Sequence, residues 1–128
     1  MIQVFSNTSS TVESNAPIPF TTVSKEKGCT ARFTSPASIS LTRAGMYMVS
    51  MNAGVVGAGT IQLFKNGVAQ SDAISTASTA TDINPLAFIT LVKVCNACPC
   101  APTTLQFVNS GAESMTVDNI NVVVTKVC

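Results

Sequence analysis

The stretch Ala44–Gln70, AGMYMVSMNAGVVGAGTIQLFKNGVAQ, constrains this chain more than any other. Tyr47, Val49, Met51, Ala53 and Val55 share one parity. Successive side chains of a strand point to opposite faces, so alternation over this length predicts a strand with one face in a core. Gly57 to Gly59 interrupt the run, Ile61 to Lys65 read as a second strand, and Asn66-Gly67 follow. A tight type I′ turn needs positive φ at both central residues, so Asn-Gly between apolar runs predicts a hairpin. The rest of the chain must supply partners for these two strands.

A length of 128 residues fits one domain, here taken as residues 1–128 with an N-terminal arm over about residues 1–15. Apolar residues make up 46% and charged residues 10%, the opposite of a disordered composition. Net charge is +1 and no run of Lys or Arg occurs, so neither nucleic acid nor an anionic membrane is the expected partner. The longest apolar run, Leu86 to Val92, has seven residues, far short of the roughly 18 of a membrane helix. The N-terminus carries no cationic and apolar leader, which predicts synthesis in the cytoplasm without a signal peptide. Histidine is absent, which removes the commonest general base and metal ligand, and no enzyme is expected.

In chain order, Ile2 to Phe5 read as a short strand and Asn7 to Asn15 as a polar loop. The sequon Asn7-Thr8-Ser9 is read as chance in a chain without an export signal. Ala16 to Phe20 must be extended, since each Pro pushes its predecessor toward β or polyproline geometry. Thr21 to Val23 continue as an edge strand, and Lys25-Glu26-Lys27-Gly28 read as a charged turn. Ala31 and Phe33 share a side, as do Ile39 and Leu41. Val68 to Ile74 return from the hairpin, and Ser75 to Thr81 read as a loop. Leu105 and Phe107 alternate with Thr104 and Gln106, a pattern for a sheet with a wet outer face.

Three segments break that pattern. Leu86, Phe88, Val92 and Val94 lie on one side of their strand, yet Ala87, Ile89 and Leu91 are apolar on the other. Ile120, Val122 and Val124 oppose Val123 and Val127. The long strand adds Met46 and Met48 to its second face. Met115 and Val117 sit on the opposite parity from Ile120, which predicts a bulge near Asp118-Asn119. A sheet with both faces apolar needs a second cover, and identical subunits in a closed homo-oligomer are the default one.

Taken in order, Ile39–Ser50 (ISLTRAGMYMVS), Ile61–Gly67 (IQLFKNG), Leu86–Leu91 (LAFITL), Thr104–Gly111 (TLQFVNSG) and Val122–Lys126 (VVVTK) resemble the tumour necrosis factor-like and complement globular-head jelly rolls. The likeness spans roughly residues 16–128 and is nearest to small phage or bacterial members. It implies an all-β, ten-stranded sandwich of two five-stranded antiparallel sheets. It also implies a homotrimer packed through Met46, Met48, Ala87, Ile89, Leu91, Val123 and Val127. The expected role is structural, on a virion surface as a head decoration or fibre head, with capsid or other virion proteins as partners. The alternative is a carbohydrate- or protein-binding module on a phage, bacterial or spore surface. Such a module would recognise a host glycan or protein through loops such as Asn7–Asn15 and Ser75–Asn84.

Where the family carries a Gly-Asp turn, this chain has Cys95-Asn-Ala-Cys98-Pro-Cys100-Ala-Pro102. The implied topology brings Cys95, Cys98, Cys100 and Cys128 to one end, with Cys29 as the odd thiol. Three readings stay open: disulfides within or between subunits, a structural zinc, or free thiols. No other cofactor is expected. Asp72, Asp82, Glu113 and Asp118 are scattered, which does not favour calcium. Met46, Met48 and Met51 are read as packing residues.

Overall fold

A computed structural model describes residues 1–26, 31–34, 37–77, 83–94 and 103–127. The described chain is all-β, in two antiparallel sheets packed as a jelly roll. The predicted long strand is β6 (Gly45–Val56), and its five alternating residues from Tyr47 to Val55 are all buried. Asn66 and Gly67 have φ of 52° and 81°, so the turn between β7 (Gly59–Lys65) and β8 (Val68–Ala77) has the positive φ pair that Asn-Gly supplies. The Asn66 carboxamide oxygen accepts the Thr104 N–H at 2.8 Å, which docks the turn on β10 (Thr103–Asn109).

The larger sheet runs β3 (Thr22–Glu26), β1 (Ile2–Ser6), β11 (Met115–Lys126), β6 and β9 (Ile83–Val94). The second runs β4 (Ala31–Thr34), β5 (Ser38–Leu41), β10, β7 and β8. The larger sheet has six strands rather than five, and the reason lies along β11. β1 pairs with Ile120 to Val124, while β2 (Ser10–Val12) pairs with Met115 to Val117. Two short strands therefore cover one side of a twelve-residue strand. Residues 1–15 are thus not an arm; β1 lies inside the sheet, and the expected loop Asn7–Asn15 contains β2. Lys25 and Glu26, expected in a turn, end β3 opposite Gln3 and Ile2. β8 runs on to Ala77, beyond the expected start of a loop at Ser75.

The register of β11 shifts between Val117 and Asn119, where the change of parity predicted a bulge. The extra residue lets Met115, Val117, Ile120, Val122 and Val124 all reach the core. Pro17 bridges Val108, and the Ile18 N–H bonds the Phe107 carbonyl at 2.7 Å, so the proline segment lies extended against β10. Phe33, Phe20, Phe107 and Phe88 form a chain of ring contacts at 6.0–6.1 Å that crosses from one sheet to the other.

Candidate functional site

The outer face of the larger sheet holds the residues expected to meet other subunits. Register sets them in rows across β9, β6 and β11. Met48 stands between Leu91 and Thr125, Ser50 between Ile89 and Val123, and Asn52 between Ala87 and Asn121. Val127 joins the row of Met46 by donating its N–H to the Met46 carbonyl at 2.8 Å. Ile89 is 69% exposed, Leu91 55%, Val127 51% and Met48 36%. Ala87 is exposed, while Met46 and Val123 are half-buried. All seven residues therefore share one face of one sheet. Covering a large aliphatic side chain is worth about 1.5–3 kcal/mol, and the single chain leaves this stripe uncovered.

The stripe borders an open sheet edge. Among the described residues β9 has a strand neighbour on one side only, β6, and β8 is the matching edge of the other sheet. The Thr90 hydroxyl donates to an Asp72 carboxylate oxygen at 3.3 Å and ties the two edges together. Ile74 and Val68 on β8 are 45% and 64% exposed, which extends apolar surface around the edge.

The same face changes character away from the Gly45 end of β6. There Asn52, Asn119 and Asn121 replace the aliphatic residues, and Gln3 on β1 flanks Val123. The Gln3 amide donates to the Asn121 carboxamide oxygen at 3.0 Å, and the Asn119 amide donates to Asp118 at 3.2 Å. A cleft of about 500 Å³ opens here, walled by Phe5 and rimmed by Asn7 and Asp118. Sequence reading missed it, because its parts come from β1, β3, β11 and the turn after β1. The parity change at Asp118-Asn119 was the available signal.

Cys29, Cys95, Cys98, Cys100 and Cys128 lie outside the described residues, as does Asp82. Among the described residues no group of three or more His, Cys, Asp or Glu converges on a point. Asp72 on β8 and Glu113 in the turn before β11 are exposed, and Asp118 stands at the bulge. Met51 is buried in the core, whereas Met46 and Met48 belong to the outer stripe.

No protein-family model and no curated protein matches the chain. Solved structures do match. The globular domain of a zebrafish complement 1qA protein superposes with a TM-score of 0.72 at 10% identity, over 95% of this chain and 94% of that one. An Eiger tumour necrosis factor from S. frugiperda gives 0.78 at 12% identity, over 99% and 91%. The PRD1 vertex protein P5 gives 0.61 at 14% identity, over 99% and 96%. The fold is therefore the tumour necrosis factor-like and complement globular-head jelly roll.

Proposed function

We propose that this protein is a non-enzymatic structural component that assembles as a homotrimer on the surface of a virion, as a head decoration or fibre head. One observation carries the reading: contiguous aliphatic side chains, led by Ile89 and Leu91, stand exposed on the outer face of a sheet whose inner face is already the core. A second copy of the chain is the occupant that such a face and an adjoining apolar edge suit, because each copy offers both surfaces to its neighbours. Edge against face is a heterologous contact, and rotation closes such contacts into a ring. The folds that the chain matches are trimeric, which favours three copies. A vertex protein among the similar structures favours a particle surface over a soluble ligand, and the absence of histidine argues against an enzyme.

Size-exclusion chromatography with light scattering tests the assembly. The wild-type chain is expected at three times 13.2 kDa. Ile89→Glu with Leu91→Glu is expected to run as a folded monomer, since two buried carboxylates without partners cost more than the contact returns. A wild-type monomer at micromolar concentration removes the support for this reading. For the setting, the gene is expected beside genes for head and tail proteins; neighbours that encode spore-coat proteins would favour a spore surface instead.

A further inference from the structure

We infer that the cleft beside the β11 bulge is a binding site for neutral oligosaccharide. This goes beyond the assembly proposed above and draws on a different part of the sheet face. The cleft exists because pairing along β11 is interrupted. Ile120 faces Ser6 on β1, and Val117 faces Ser10 on β2. The chain from Asn7 to Ser9 leaves the sheet between them, opposite the extra residue of the bulge. A gap in one strand thus meets an insertion in its partner, and bulges of this kind re-aim side chains next to functional sites.

What lines the gap is specific in kind. Asn121 spends its carboxamide oxygen on Gln3, which leaves its NH₂ directed to other partners. Gln3 spends an N–H in the same bond and keeps its carbonyl. Asn119 likewise uses an N–H on Asp118 and keeps its oxygen, while Asp118 keeps its second oxygen. Asn7 and Ser24 add an exposed amide and hydroxyl at the rim. One wall therefore offers both donors and acceptors, tied to each other in pairs, and the half-buried Phe5 ring forms another. A hydroxyl both donates and accepts, so a ligand rich in hydroxyls satisfies this set, and its C–H faces suit the ring.

Other ligand classes fit less well. A calcium ion takes six to eight oxygens, and Asp118 is the one carboxylate among the described lining residues. Asp118 places a carboxylate in the lining, so a sialylated or uronic sugar would bring a like charge against it. The volume lies within the roughly 300–1,000 Å³ of ligand sites.

The test is a glycan array that carries neutral and acidic oligosaccharides, probed with the assembled wild-type protein. Neutral glycans are expected to be retained and acidic ones not. Asn7→Ala with Asn119→Ala is expected to weaken the best neutral glycan about tenfold while the mass in solution stays that of wild type. Gln106→Ala, on β10 of the other sheet, is expected to change neither. Amide NMR spectra of the unmodified protein titrated with that glycan should shift at Gln3, Asn7, Asn119 and Asn121, which keeps the test valid if the double variant unfolds. No retained neutral glycan, a preference for acidic glycans, or shifts elsewhere overturns the proposal. So does a change in mass on Asn119→Ala, which would assign the cleft to a second copy of the chain. Failure of the trimer alone leaves these readings intact, because the cleft is built within one chain.

Discussion

Asn109 shows how this chain closes one end of its sandwich. It is fully buried at the end of β10, where an unpaired amide would cost about 1–3 kcal/mol. Its amide donates to the carbonyls of Val12 and Glu113 at 3.0 and 2.9 Å, and its oxygen accepts the Gly111 N–H at 3.0 Å. One side chain thereby joins the ends of β10 and β2 to the turn into β11. Asn109→Ala should cost about 2–4 kcal/mol, read as a lower denaturant midpoint, because three backbone groups, that of Val12 buried, lose their partner together. Tyr47 makes a second residue-level test. Its ring is buried, and its hydroxyl donates to the Arg43 carbonyl at 2.8 Å. Burial raises the phenol above its ordinary value of 10.0, against the lowering effects of that bond and of the Arg43 charge. The folded state therefore holds the proton more tightly than the unfolded one. Stability from this group is full below about pH 10 and is lost as pH climbs toward the raised folded value. Tyr47→Phe should cost about 1 kcal/mol at neutral pH and remove that alkaline loss. As the chain has one tyrosine and no tryptophan, an ultraviolet titration reads this group directly.

Among the elements, the β7–β8 hairpin separates backbone strain from packing. A Cβ at Gly67 would meet nothing within 4 Å, yet its φ is +81°. Gly67→Ala should therefore destabilise by about 1 kcal/mol through backbone strain alone, with no change in the core, as thermal melts and unaltered core NMR shifts would show. This hairpin and β6 were legible in the sequence because their signals are local: period-two alternation and a dipeptide that tolerates positive φ. The outward set on β9 was legible for the same reason, since Ala87, Ile89 and Leu91 alternate with core residues. β2 was not. Ser10-Thr11-Val12 carries one apolar residue in a polar run and becomes a strand only because β11 extends past the end of β1. Nor was the central place of β1 legible, because pairing with residues more than a hundred positions away leaves no local mark. The cleft suffered doubly, being made of polar residues and of an interruption in pairing. Asp118-Asn119 revealed the bulge but not what faces it.

For the whole molecule, the proposed trimer would make stability a property of the assembly. The chain presents 6654 Å² of surface, and a standard contact hides about 800 Å² per partner. In a ring of three, each copy makes two such contacts, so about 1,600 Å² would leave solvent. Species that bind the folded state and not the unfolded one stabilise it by mass action. The thermal midpoint of the wild-type protein should accordingly rise with protein concentration across a dilution series, whereas that of Ile89→Glu with Leu91→Glu should stay flat. Salt adds a second arm. The stripe is aliphatic, and Lys93 is the charged residue in its rows, opposite Met46. Screening weakens exposed ion pairs but not apolar contacts, so raising ionic strength well above physiological should leave the oligomer intact. Sulfate, which is excluded from protein surface, should tighten it. If the midpoint is independent of concentration and the oligomer dissociates as salt is added, charge rather than the Ile89 and Leu91 face holds the copies together, and the assignment of that face fails.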